Sequence, residues 1–121
     1  MSITYMSSYM SSLPQITVQE LAEKMALGES IQLVDVRELQ ELSIASLPGF
    51  KHLPLSASES WSTNIHSHLD SELETLVLCH HGMRSAQMCQ WLIGQGFANV
   101  KNISGGIDAY SIQVDGRIPQ Y

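Results

Sequence analysis

Two hydrophobic periods alternate along this chain, and no other feature restricts its fold as strongly. Two short, mostly apolar runs, Ile31 to Val36 and Thr75 to Cys79, and a last strand candidate, Val100 to Ile103, are separated by stretches whose apolar residues recur at helical spacing. A run that is apolar at nearly every position is suited to burial on both faces, the condition of a strand in a parallel sheet. The helical stretches then supply the crossovers that parallel strands need. The expected class is α/β: a three-layer domain with a central parallel sheet flanked by helices.

Local signals delimit several elements. Thr17-Val18-Gln19-Glu20 is a capping box, Leu21, Met25 and Leu27 follow at helical spacing, and Gly28 is a stop, which predicts a helix over 17–27. The run from Ile31 breaks at Asp35 and Arg37, as expected of a buried strand whose carboxyl end faces a site. Glu38 to Leu42 fits a brief helical turn, Pro48-Gly49 a turn, His52 to Leu55 a short strand, and the Ser-rich stretch 56–62 a surface connection. Farther on, Ala86, Cys89, Leu92 and Ile93 line one helix face that should end near Gly94 or Gly96. Gly105-Gly106 then read as a turn and Ile107 to Ile112 as a last helix. There is no internal repeat.

At 121 residues the chain is about one domain's worth. Residues 14–121 are expected to form that domain, with 1–13, a Ser, Met and Tyr mixture, as a flexible tail. The 44% hydrophobic and 15% charged composition suits one buried core and excludes disorder and fibrous architecture. Two cysteines, Cys79 and Cys89, are too few for a disulfide framework and point to a reducing, cytoplasmic compartment. A net charge of -6 with a pI near 5.1 argues against a nucleic-acid or anionic-membrane surface. The longest apolar run falls far short of the roughly 20 residues of a membrane helix, and the opening residues lack the pattern of a signal peptide. Neither a nucleic acid nor a membrane is expected as partner, and the oligomeric state is not legible.

Chemistry concentrates in Cys79-His80-His81-Gly82-Met83-Arg84-Ser85, between a buried strand and an amphipathic helix. Such a strand-to-helix loop turns backbone N–H groups inward, and the helix adds its positive end, so an anion or thiolate belongs there. Cys79 is the candidate nucleophile. From Thr75 to Ile107 there is no carboxylate, while Arg84 and Lys101 contribute +2, which leaves -8 on the remainder of the chain. A locally cationic segment of this kind can focus small anions onto a site in an acidic protein.

Leu33-Val34-Asp35-Val36-Arg37, Glu41, Pro48-Gly49, the Cys79 to Ser85 loop and Gly105-Gly106-Ile107-Asp108-Ala109-Tyr110 occur in the order and approximate spacing of the rhodanese-like domain. The chain resembles that family over roughly Gln15 to Tyr110. The resemblance implies a sulfurtransferase without cofactor or metal. Cys79 would take a sulfane sulfur from a small sulfur-containing anion such as thiosulfate, or from a protein persulfide, and pass it to a thiol or cyanide. His80, His81, Gly82, Met83, Arg84 and Ser85 would cradle the persulfide. Phosphatases of related fold place five residues between Cys and Arg; the four here suit a sulfur atom better than a phosphoryl group.

The chain departs from the family pattern in two places. Ala45-Ser46-Leu47 stands where many members read Gly-His-Ile, which touches local packing more than catalysis. His80 and His81 stand where efficient thiosulfate users often carry basic residues, and histidines are mostly uncharged at neutral pH. Asp35 and Arg37 are read as structural support, with Arg37 paired to Glu41. Arg84 supports the loop through backbone carbonyls, Ser85 caps the following helix, and Gly82 supplies a special backbone conformation. Cys89 belongs to the apolar helix face, Trp61 and Trp91 to packing or the rim. His66 and His68, with His80, His81 and Cys79, fit no standard metal spacing. A catalytically silent interaction module or sulfur carrier on the same scaffold is the alternative from another class.

Overall fold

The structure, a computed structural model, describes residues 13–121. Five strands lie in one sheet: β1 (Gln15–Ile16), β2 (Ile31–Asp35), β3 (Phe50–His52), β4 (Glu74–Leu78) and β5 (Val100–Ile103). Their spatial order is β1-β5-β4-β2-β3, and every neighbouring pair is parallel. The helices are α1 (Val18–Leu27), α2 (Leu39–Ile44), α3 (Ser58–Trp61), α4 (Ile65–His68), α5 (Met83–Gly94) and α6 (Gly106–Gln113). No helix among the described residues is long and apolar enough to cross a membrane.

The sheet separates two cores because successive residues of a strand face opposite sides. Val34 and Val77 pack with Trp61, Ile65, Met88, Cys89 and Leu92 on one face. Leu76 and Leu78 pack with Leu21, Leu47, Ile103 and Ile107 on the other. Removing one such buried side chain costs about 2–5 kcal/mol. α1 begins with a reciprocal capping box: Thr17 Oγ1 accepts from the Glu20 N–H at 3.1 Å, and Glu20 Oε1 accepts from the Thr17 N–H at 2.9 Å.

Two connections differ from expectation. The strand anticipated at His52 to Leu55 lies at Phe50–His52, where this edge strand pairs with β2 in the register Leu33↔Phe50 to Asp35↔His52; past it, the Leu53 and Leu55 N–H groups still donate to the Asp35 and Val36 carbonyls. The Ser-rich stretch is a surface connection with helical structure of its own, and of its residues only Trp61 is buried. It folds into α3 between 3₁₀ turns at Leu55–Ala57 and Ser62–Asn64. Trp61 is buried there, its indole N–H donating to the Pro54 carbonyl at 3.0 Å. Leu13, grouped with the tail on composition, is 6% exposed and part of the core; residues 1–12 lie outside the described residues.

β4 occupies the middle of the sheet and is joined to β2 in register, Asp35 opposite Leu78. The loop after β4 therefore leaves the carboxyl edge between two strands, where ligand sites of open parallel sheets gather.

Candidate active site

Cys79 follows the last residue of β4 and is only 1% exposed. Gly82 turns the chain into α5 with φ 106°, a conformation that costs a glycine little and other residues much. That turn aims the Gly82 N–H back at Cys79 Sγ, 3.0 Å away. Met83, Arg84 and Ser85 form the first turn of α5, where N–H groups have no intrahelical acceptor and the positive end of the helix dipole lies. The Met83 side chain is 74% exposed at the rim.

The loop is clamped from the far side by the start of α6. The Ile107 N–H donates to the Cys79 carbonyl at 3.0 Å and the Asp108 N–H to the His80 carbonyl at 3.1 Å. Gly106 permits this approach: a Cβ there would overlap the Cys79 and His80 carbonyl oxygens. Gly105 does the same for Ala109, whose Cβ would be 2.6 Å from an added methyl. Within the Gly-Gly segment, Gly106 is thus a packing surface for the Cys79 loop.

Ser85 does not cap α5; Gly82 holds that position. Fully buried, Ser85 stands with Oγ 3.2 Å from Cys79 Sγ and 2.5 Å from Asn102 Oδ1. Asn102 Nδ2 donates to the Gly82 carbonyl and to Gln15 Oε1, both at 3.1 Å, which orients its Oδ1 toward Ser85. A serine hydroxyl carries one hydrogen. While it donates to Asn102, the Cys79 thiol is the donor to Ser85; when Cys79 is a thiolate, the same hydrogen can turn to the sulfur.

The ion pairs differ from those expected. Arg37 is fully buried and pairs with Asp35 at 2.8 Å, not with Glu41, and it also donates to the Ala45 carbonyl and the Tyr121 hydroxyl. Arg84 holds no backbone carbonyl; it meets both oxygens of Glu41, at 2.7 and 2.8 Å. Glu41 also accepts from the Tyr121 hydroxyl at 2.8 Å and the Glu38 N–H at 2.9 Å. Hydrogen bonding to Arg84 holds the Glu41 carboxyl down at about 2 and raises the Arg84 guanidinium above its ordinary value. Lys101 lies 2.6 Å from Glu74. Both positive charges of the acid-free segment are therefore neutralised by carboxylates outside it, and the locally cationic stretch of sequence is not a cationic surface.

His80 is sandwiched between His81 and Tyr121, with ring centroids 3.8 Å from each. Burial, and then the charge of neighbouring His81, lowers its pKa from 6.5. His80, His81 and Asp108 bring potential ligand atoms within 4.8 Å of one another. Imidazole lone pairs lie in the ring plane, and two rings stacked with only 30° between them direct those lone pairs side by side rather than toward one ion about 2 Å away. His66 stacks on Phe97 in a different part of the molecule. Cys89 is buried in the core shared with Cys79, and burial pushes its thiol up to about 12. Trp61 and Trp91 pack edge to face at 5.7 Å.

Asn102, Tyr121 and the Glu41 contact to Arg84 escaped the reading of the sequence. Asn102 shares its short strand, Val100-Lys101-Asn102-Ile103, with a second polar residue, and nothing there marked it out. Tyr121 left no signal either, because it lies outside every motif.

The family model of the rhodanese-like domain matches residues 17–113. The rhodanese-like/PpiC domain-containing protein 12 of Arabidopsis thaliana, a chloroplastic protein, is 50% identical over 109 residues, covering 88% of this chain and 36% of that protein. Thiosulfate sulfurtransferase GlpE of Pseudomonas entomophila is 31% identical, with 77% of this chain and 82% of that protein covered. The rhodanese-like domain protein of Staphylococcus aureus superposes with a TM-score of 0.73 at 24% identity, covering 90% and 99% of the two chains. This chain spans 25% to 50% of several curated relatives, which are longer proteins. The match over residues 17–113, together with the parallel sheet and the loop that ends its central strand, establishes that the chain belongs to the rhodanese-like domain family.

Proposed function

We propose that the protein is a sulfurtransferase that carries a sulfane sulfur on Cys79. The observation behind this reading is the environment of Cys79 Sγ: a buried sulfur at a strand end, facing the Gly82 N–H and the Ser85 hydroxyl at the start of α5. These groups can stabilise negative charge on a thiolate, and on the outer sulfur of a persulfide near it, without metal or separate base. The Cys79 thiolate attacks the sulfane sulfur of the donor and the donor's S–S or S–SO₃ bond breaks. Thiolate or sulfite leaves with the bonding pair, and Cys79 becomes a persulfide. An acceptor thiolate or cyanide then attacks the outer sulfur and returns Cys79 as thiolate.

Four residues, His80 to Met83, separate Cys79 from Arg84, and both hydrogen-bonding edges of the Arg84 fork that face Glu41 are taken by its two oxygens. This arrangement leaves no guanidinium fork for a phosphoryl group. The name of the Pseudomonas relative supports sulfur transfer.

The test is thiocyanate formation from a sulfane donor and cyanide, with Cys79→Ser as control. Thiocyanate from the wild type alone supports the proposal. Loading of sulfur without delivery to cyanide or thiol would mark a carrier, and Cys79-dependent hydrolysis of an aryl phosphate would overturn the reading.

A further inference from the structure

Among the described residues, the Arg and Lys side chains around the Cys79 loop, Arg37, Arg84 and Lys101, are each paired with a carboxylate. Arg84 is the cation of the loop, next to Ser85 and two residues after Gly82, which both touch Cys79 Sγ. Its guanidinium is closed by Glu41 through two parallel hydrogen bonds of 2.7 and 2.8 Å. Glu41 cannot readily swing aside, because both of its oxygens accept a further bond, one from Tyr121 and one from the Glu38 N–H. Arg37 is buried against Asp35, and Lys101 is held by Glu74 at the opposite end of β4. Asp108, beside His81 at 3.9 Å, adds a negative charge at the mouth.

We propose that Glu41 is a specificity-determining residue: by neutralising Arg84 it disfavours doubly charged donors such as thiosulfate and selects persulfides of low charge. This rests on the sulfur-transfer reading above. With a persulfide donor R–S–SH, the Cys79 thiolate bonds to the outer sulfur, the donor S–S bond breaks, R–S⁻ leaves with the bonding pair, and Cys79–S–SH forms. No oxidant or reductant is consumed. With thiosulfate the same exchange would bring a dianion to a rim where Arg84 is already paired.

The rate of sulfur loading on Cys79, followed by intact-protein mass, tests this with two donors: thiosulfate and the persulfide of 2-mercaptoethanol. Wild type is expected to load faster from the persulfide, and its thiosulfate rate should not fall as salt is added. Glu41→Gln removes the charge and keeps one acceptor oxygen, enough for either Tyr121 or the Glu38 N–H. It should raise the thiosulfate rate by about five- to tenfold, a gain that salt erases, while the persulfide rate changes by less than about twofold. In the Glu41→Gln/Arg84→Met double variant the gain should vanish, since no cation remains to be freed. An unchanged donor ratio in Glu41→Gln, a gain that survives in the double variant, or a wild-type preference for thiosulfate that weakens with salt would each overturn the proposal. Failure of both donors to load Cys79 would instead overturn the sulfur-transfer reading itself.

Discussion

Gly106 lies so close to Cys79 that a single methyl on its Cα would overlap the Cys79 carbonyl oxygen. The backbone of Cys79 is thus positioned by a residue 27 places away, and the left-handed φ of 62° at Gly106 adds a second reason for glycine there. Gly106→Ala is expected to destabilise the fold by about 2–4 kcal/mol and to abolish sulfur loading. Gly94, at the end of α5, meets nothing within 4 Å and has no such φ. Gly94→Ala should be neutral or stabilising by about 0.5 kcal/mol. Urea unfolding of the two variants separates these outcomes; equal effects would remove the clamp from the account.

Ser85 and Asn102 should respond differently to truncation. Ser85→Ala removes the hydroxyl next to Sγ but leaves Asn102 bonded to Gly82 and Gln15. The expected result is a loss of about tenfold in loading rate, with stability lowered by about 1–2 kcal/mol. Asn102→Ala cuts the ties to Ser85, Gly82 and Gln15 together and should cost more stability than Ser85→Ala. Loading kinetics paired with thermal unfolding check the order.

Acid should weaken the fold through Glu41. Its carboxyl titrates at about 2 in the native state against 4.5 ordinarily, so the native state binds fewer protons between those values. The stabilisation is complete above pH 4.5 and is lost as pH falls toward 2. Arg84 is partly exposed, so screening limits the contribution to about 1–2 kcal/mol. In Glu41→Gln this pH-dependent component is absent, and the stability gap between wild type and variant should close progressively as pH falls from 4.5 toward about 2. A gap independent of pH in urea titrations would contradict the pairing.

Cys89 should stay silent. Its thiol, pushed up to about 12 by burial, remains protonated at neutral pH. Iodoacetamide applied to the native protein should therefore not modify Cys89. Cys89→Ala should cost about 1–2 kcal/mol while sulfur loading persists. Alkylation mapped by peptide mass spectrometry decides this, and loss of loading in Cys89→Ala would give that thiol a direct role.

What could be read from the residues was whatever is local. The capping box of Thr17 and Glu20 spans four positions and forms as expected. The Cys79 to Ser85 loop was legible because a buried strand and a helix start both announce themselves in neighbouring residues. The Arg84–Glu41 contact joins positions 43 residues apart, and nothing in either segment selects the other. The same holds for Lys101 with Glu74, which is why a segment without acids was misread as a cationic surface. The Ser-rich stretch lies at the surface as its composition suggests, but the short helix that buries Trp61 was not legible in it. Tyr121 reaches the site only because α6 and the segment after it return to the loop, a fact of topology rather than of sequence pattern.

The central claim is a persulfide on Cys79, and intact-protein mass after incubation with a sulfane donor tests it most directly. Wild type should gain the mass of one sulfur atom, mapped to the peptide containing Cys79, reversed by cyanide and missing in Cys79→Ser. No gain with thiosulfate or any persulfide donor, or a gain that persists in Cys79→Ser, would contradict it.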